Sequence, residues 1–394
     1  MATVSFLASR AAPSAQFWLA LGGGLALARA AYERGARTGY GASLAAMLQT
    51  VAVMGPARIN APLTQAMTAP MMGHLQARRA PWWLEFLGCL VLRLLHYAVL
   101  LAVFIYVVLG GMDAFTGSYE TLTGWLGFVP QGPHAALAVT AVVNVFWAVF
   151  FSTVQVAVYR RALGRWPEHP AAAAAVPAAS AGAPAAHGGR FDPRAVVIAA
   201  LLASALLLCS TAWPLLLGVA AWLVPAWLLS RPDTSAVPLG LALAAMLGFA
   251  ALTGGLLGGS GLELTLERTL RAVLLVAVAT WMRAAAGADG LRESFRRALH
   301  RLRRIPAVHE AADVLDGLDA GPRLIAAARA AAKRLDGIEL RPAPVADAVI
   351  GWAAAEAAGY RAGSGPQAAA LRVRGRDRLL VAVALLPALA LVGS

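Results

Sequence analysis

The sequence predicts an all-α, polytopic helical membrane protein with about 8–10 transmembrane or membrane-embedded helices and a cytoplasmic helical coupling region. Three observations carry that reading. Of 394 residues, 59% are hydrophobic, against roughly 45–50% in soluble proteins. Charged residues are only 13%, and arginines punctuate the apolar runs as they do at the cytoplasmic ends of membrane helices. Apolar stretches near the ~20 residues that a spanning helix needs recur along the chain, and only structures that satisfy their own backbone groups survive in hydrocarbon.

The best candidate spans are about 84–111, 134–158, 195–212, 213–230, 236–258 and 266–286, with a short, almost purely apolar one at about 379–392. Residues 16–31 form an eighth, where Ala20, Gly24 and Ala28 make a stripe of small residues that lets another helix approach closely. The same stripe is also what an alanine-rich composition produces.

Orientation follows from the arginines. No Lys or Arg occurs from His96 to Tyr159, whereas Arg78, Arg79, Arg160, Arg161 and Arg165 flank that stretch. The positive-inside rule puts the intervening loop outside and both flanks in the cytoplasm. The Gly254 to Gly261 turn lies between Arg231 and Arg268, so it is expected outside, and Arg283 to Arg378 inside. Residues 41–75 depart from the pattern. Pro56, Pro62 and Pro70 interrupt an apolar run that carries Gln49, Arg58, Asn60, Thr64, Gln65 and Thr68. Broken helices lining a cavity and a surface loop between interfacial helices are both compatible with it.

The organisation is in two units. Residues 1–166 form an N-terminal membrane module, 167–189 a linker of Pro, Ala, Ser and Gly without periodicity, and 190–394 a second membrane domain. In the second, about four spanning helices lead into a polar cytoplasmic portion with helices at about 288–360. Leu291, Phe295, Leu299 and Leu302 share one face of the first of these, ringed by Arg292, Arg296, Arg297, Arg301, Arg303 and Arg304. That face suits an anionic leaflet or another protein surface equally. Arg329 and Lys333, four apart, share a face of the next helix.

The second unit opens on Asp192-Pro193-Arg194, has Arg268 and Arg271 on its last span before the basic helical region, and ends with Ala355 to Arg361 and a final helix entered through Arg376-Asp377-Arg378. This order resembles the transmembrane T component of energy-coupling factor (ECF) transporters over about 200 residues. The resemblance implies that Asp192, Pro193 and Arg194 are the family's opening motif. It also implies that cytoplasmic coupling helices dock on ABC-type ATPase subunits through Arg329, Lys333, Arg334, Gly359, Tyr360 and Arg361, alongside a substrate-capture membrane subunit. The docking motifs are degenerate: Ala358 stands where the second signature has arginine, and no glycine follows Arg334. The first unit resembles no family.

Within the first unit, Arg93 and His96 lie three apart in a span, so they share a face that should look into the bundle. They form either a site for an anionic or polar solute or an interhelical pair with Gln155 or Asn144. No catalytic residue is indicated, and no phosphate-binding loop is present because the Gly254 to Gly261 glycines lack a following lysine. His309-Glu310 has Asp313 where a zinc-protease motif needs histidine, and Cys89 and Cys209 have neither disulfide nor zinc-site spacing, so no metal or cofactor is expected. Net charge is +13, but the arginine and alanine bias matches a GC-rich bacterial genome, so no nucleic-acid partner follows from it. The expected partner is the lipid bilayer, and the expected location a bacterial cytoplasmic (inner) membrane with multiple passes. The expected function is that of a scaffold or coupling subunit of an ECF-type ABC transport system for a small solute such as a vitamin or metal ion. The alternative is a non-transporting membrane assembly or interaction protein retaining the T-component fold. An enzyme is not expected.

Overall fold

The computed structural model describes residues 2–11, 16–56, 60–124, 126–127, 129–166, 190–230, 233–234, 237–317, 324–325, 327–330, 347, 351 and 373–391. Among these every regular element is helical. In order they are α1 (Ala2–Ala11), α2 (Gln16–Arg34), α3 (Ala36–Met54), α4 (Asn60–Ala77), α5 (Trp82–Val103), α6 (Met112–Thr123) and α7 (Pro133–Gly164) in the first part. Then come α8 (Pro193–Cys209), α9 (Trp213–Ser230), α10 (Val237–Leu257), α11 (Leu262–Arg301), α12 (Pro306–Gly317) and α13 (Gly375–Ala384).

Five helices are long and apolar enough to cross a membrane: Trp82–Leu109, Pro133–Gly164, Trp213–Ser230, Val237–Leu257 and Leu262–Arg301. They suggest a multi-pass membrane protein. α8 is apolar but shorter, at 17 residues. The last apolar run divides into the ten-residue α13 and a 3₁₀ segment at Leu386–Leu391. Exposed apolar surface compatible with lipid contact is most legible on α5, where Leu87, Val91, Leu95, Val99 and Val103 are exposed at every fourth position and Trp82 and Trp83 stand at the entry. A row at that spacing runs along one helix face, and tryptophans favour the membrane interface.

The proline-interrupted stretch forms the helices α3 and α4, with Gly55 at a positive φ ending α3. Around them α2 is buried along most of Leu19–Ala31, with its last turn exposed, and its small-residue stripe lies at a close approach between helices. A Cβ on Gly24 would overlap the Tyr159 hydroxyl, and one on Gly73 of α4 would overlap the Ala28 carbonyl. The stripe therefore does what its spacing permits.

The second part is built around α11. Trp281 packs edge-on against Trp222 of α9 at 5.1 Å, within a core that includes Val196, Ala199, Leu216, Val219 and Val278. At Gly287 the backbone leaves helical geometry (φ 69°, ψ 163°), dividing α11 into a membrane arm, 262–286, and a charged arm, 288–301. Only glycine adopts those angles readily. The amphipathic face of the charged arm is covered by protein as far as Leu299, which is buried with Ala45 of α3 and with Ala311, Ala312 and Leu315 of α12, while Leu302 is exposed. The two parts of the chain therefore share a core here, and between α6 and α10, where Ser118 donates to the Gly254 carbonyl at 2.6 Å.

Candidate functional site

The buried residues of α5 are Glu85, Cys89, Arg93 and His96. Their spacing of 4, 4 and 3 sets them along the face opposite the exposed leucines and valines, so this helix turns polar atoms inward and apolar ones outward. Ionisable groups at such positions are expensive in hydrocarbon and must look into protein. Two neighbours meet the stripe with polar faces of their own. α4 brings Gln65, Thr68, Met72 and Gln76, and α7 brings Ser152, Gln155 and Tyr159.

Gln155 is the junction. Its Oε1 accepts from Arg93 Nη2 at 2.6 Å and from Cys89 Sγ at 3.6 Å. Its Nε2 donates to Thr68 Oγ1 at 2.8 Å and lies 3.4 Å from Met72 Sδ. Thr68 in turn donates to the Thr64 carbonyl at 2.8 Å. The Arg93 guanidinium also sits 5.8 Å from the Phe151 ring centroid, a cation–π distance. One turn along α7, the Tyr159 hydroxyl is 2.9 Å from Gln65 Oε1 and 3.0 Å from the Leu21 carbonyl oxygen, two acceptors for one proton. At the start of α5, the fully buried Glu85 is 3.9 Å from Arg160 Nε, and Gln76 donates to the Arg160 carbonyl at 3.4 Å. Together these residues make a polar seam between α4, α5 and α7.

The sequence-derived candidates distribute as follows. Arg93 hydrogen-bonds Gln155, one of the two partners the sequence offered for it, His96 is buried one turn beyond Arg93, and Asn144 is half-buried on the α7 face that carries Gln155, three turns away. Glu85, Cys89, Ser152 and Tyr159 were not singled out as site residues. The 4, 4, 3 spacing of the α5 stripe is the signal that identifies the first two.

Asp192, Pro193 and Arg194 perform a helix start. Asp192 caps α8 by accepting from the Arg194 backbone N–H at 2.9 Å, and Pro193 occupies the first turn, where no N–H is missed. The Asp192 carboxylate also pairs with the Arg194 guanidinium at 2.9 Å. Burial pushes the Asp192 carboxyl up, but the Arg194 hydrogen bonds and the positive charges of Arg194 and Arg297 more than offset it and hold it below its ordinary value. The Asp192 backbone N–H donates to Asp377 Oδ1 at 2.9 Å, and the Arg374 N–H donates to Asp377 Oδ2 at 2.6 Å. Thus the opening motif and the Arg376-Asp377-Arg378 motif, far apart in sequence, clamp the first and last helices of the second part.

The charged arm is internally paired. Glu293 accepts from Arg296 at 2.7 Å and from Arg297 at 2.6 Å, and Arg303 reaches Asp313 of α12 at 2.8 Å. Of the docking candidates, Arg329 is exposed beside Ala328, which packs with Leu324 against Val4, Leu7 and Leu19. Lys333, Arg334, Gly359, Tyr360 and Arg361, Ala358, and the linker 167–189, lie outside the described residues. Comparison with protein-family models, curated proteins and solved structures returns no match to this chain.

Proposed function

We propose that the chain is a solute-transport subunit of the bacterial inner membrane, with a second part that acts as a T-component-like scaffold and a first part that supplies the solute-contacting seam. On this reading α2, α3, α4 and α8 are membrane-embedded beside the five long spans. The observation that carries the proposal is α11: an apolar membrane arm turns at Gly287 into a charged arm, and that arm packs on the bundle that holds the seam. A contiguous set of contacts follows from it. Leu299 packs with Ala45 of α3, Ser43 of α3 donates to the Ala66 carbonyl of α4 at 2.6 Å, and Thr68 of α4 meets Gln155. A partner that displaces the charged arm therefore has a packed route to the seam.

The test is capture of an ABC-type ATPase with the full chain in mild detergent. Such an ATPase should co-purify, and Arg329→Glu with Lys333→Glu should abolish its capture, because truncating or reversing a buried interfacial charge pair costs about 2–5 kcal/mol. If the wild type captures no ATPase and Ala358→Arg does not change that, the coupling reading fails and the chain is a membrane assembly protein without transport.

A further inference from the structure

The chain uses arginine in two ways. Among the described residues, each buried arginine has a protein acceptor: Arg93 donates to Gln155 Oε1 at 2.6 Å, Arg283 to the Val53 carbonyl at 2.6 Å, Arg292 to the Leu315 carbonyl at 2.8 Å, and Arg271 to the Tyr106 and Val107 carbonyls beyond the end of α5. Other arginines are exposed and lack such partners, and a group of them stands at the foot of α5.

Four segments meet there. Gln76, in the last turn of α4, donates to the Arg160 carbonyl near the end of α7 at 3.4 Å, and Glu85, in the first turn of α5, lies 3.9 Å from Arg160 Nε. Arg29, towards the end of α2, sits 5.3 Å from the Trp166 ring centroid, just past α7. Of the arginines at these ends, Arg29 pairs with Glu33, Arg160 with Glu85 and Arg161 with Asp347. Arg78, Arg79 and Arg165 are exposed, and among the described residues no carboxylate pairs with them.

Arg78 and Arg79 are held by a hydrogen-bonded turn. The Ala80 N–H donates to the Leu75 carbonyl at 3.0 Å and the Arg79 N–H to the Gln76 carbonyl at 2.9 Å, closing α4, and Pro81 leads directly into α5. Arg79 has φ 55° and is the one non-glycine residue at a positive φ among the described residues. Glycine is the usual residue at such a helix end, because no Cβ opposes the left-handed angles. An arginine there works against the backbone preference, and its exposed side chain makes no ion pair that would compensate the turn. Trp82 (60% exposed) and Trp83 (54%) follow, and from Trp83 an exposed row continues through Leu87, Val91 and Leu95 along one face of α5. Tryptophan favours the boundary between headgroups and hydrocarbon. The row from Trp83 to Leu95 covers about 18 Å of helix, against ~15 Å for one leaflet of a bilayer core.

We propose that this foot is a binding site for an anionic phospholipid in the leaflet where α5 begins. Arg78, Arg79 and Arg165 hold its phosphodiester headgroup, and an acyl chain lies along the row from Trp83 to Leu95. Guanidinium forks match phosphate oxygens bidentately, and basic residues at the foot of a spanning helix recognise anionic headgroups. A zwitterionic headgroup carries its own cation and gains less from the same arginines. An acidic soluble protein matches the charge but leaves the apolar row that rises from it uncovered. The site goes beyond the proposed transport function: it rests on α5 being a membrane span and is independent of solute and of ATPase coupling.

Native mass spectrometry of the full chain in neutral detergent measures the affinity for the first added lipid, with phosphatidylglycerol and phosphatidylcholine of identical acyl chains as probes. Phosphatidylglycerol should bind at least tenfold more tightly. Arg79→Gly should weaken its binding about fivefold, the equivalent of one arginine at a charged membrane surface. The same change should leave phosphatidylcholine affinity unaltered and the melting temperature unchanged or higher, since glycine suits φ 55° better. Arg78→Gln with Arg165→Gln should remove most of the remaining preference, whereas Arg301→Gln with Arg304→Gln, at exposed positions of the charged arm and the turn after it, should not affect it. Equal affinity for the two lipids, or unchanged phosphatidylglycerol affinity in Arg79→Gly, overturns the proposal. So does an equal loss in the Arg301 and Arg304 variant, which would make the preference a matter of total charge. Displacement of the lipid by soluble glycerophosphoglycerol at equal concentration would assign the arginines to a free phosphodiester and overturns the phospholipid site. If Arg79→Gly fails to elute as a folded species, Arg78→Gln decides by the same criterion. No ATPase enters the measurement, so loss of lipid preference and failure of ATPase capture are read separately.

Discussion

Replacing Gly287 by alanine isolates the effect of one backbone angle pair. The residue has φ 69° and ψ 163°, and an added Cβ meets nothing within 4 Å, so no neighbour has to move. The cost is therefore conformational. A non-glycine residue forced into that region costs about 1–3 kcal/mol. The chain can relieve it only by straightening α11, which pulls the charged arm away from α3 and α12 and breaks the Leu299 cluster and the Arg292–Leu315 hydrogen bond. Either way, residues 288–317 open more readily than in the wild type. A shift of 1–3 kcal/mol in a local opening equilibrium corresponds to about 5- to 150-fold faster amide exchange where opening and closing are fast relative to intrinsic exchange. Hydrogen exchange with mass spectrometry on protein in nanodiscs reads this directly. Gly164→Ala is the control: that glycine has ordinary helical angles and open space, so alanine there should be neutral or stabilising by roughly 0.5–1 kcal/mol. Unchanged exchange across 288–317 in Gly287→Ala would refute the claim that the break at Gly287 holds the arm in place.

Gly73→Ala should lower thermal stability by about 1–3 kcal/mol, because its Cβ would overlap the backbone carbonyl of Ala28 and separate α2 from α4; an unchanged melting profile contradicts that packing. Asp192 is held below its ordinary value by Arg194, so its contribution is fully present above the unfolded carboxyl value of about 4 and is lost as pH falls through the lower folded value. Asp192→Asn should accordingly cost stability at pH 7 and flatten the acid limb of the stability curve, and an unaltered acid limb would dissociate Asp192 from it. In a background lacking Cys89 and Cys209, single cysteines at the exposed positions Leu122 and Arg304 should react with an impermeant thiol reagent from opposite faces of the membrane, whereas labelling from one face reverses the orientation assigned from the arginines.

The helices long and apolar enough to span a membrane were legible from the chain alone, because a bilayer imposes a length and an apolar composition that act on each segment independently of its neighbours. The runs at 84–111, 134–158, 213–230, 236–258 and 266–286 all fall on helices long enough to cross. The inward face of α5 was also written in the spacing of Glu85, Cys89, Arg93 and His96, of which the sequence reading singled out Arg93 and His96. Which partner each inward group meets was not legible, since Gln155 and Asn144 share one face of α7 and only the crossing of α4, α5 and α7 selects Gln155. The same holds for the amphipathic arm. Leu291, Phe295, Leu299 and Leu302 demand an apolar cover, but lipid and protein satisfy that demand equally. The turn at Gly287 and the position of α3 and α12 decide for protein at Leu299, while Leu302 remains exposed. Arginine shows the limit most clearly: composition and hydropathy treat Arg93, Arg271 and Arg283 alike as charges in apolar runs. Only the tertiary structure separates the α11 arginines that cap other helices from Arg93, because an unpaired carbonyl at a helix end exists for a side chain only once the two helices are packed together.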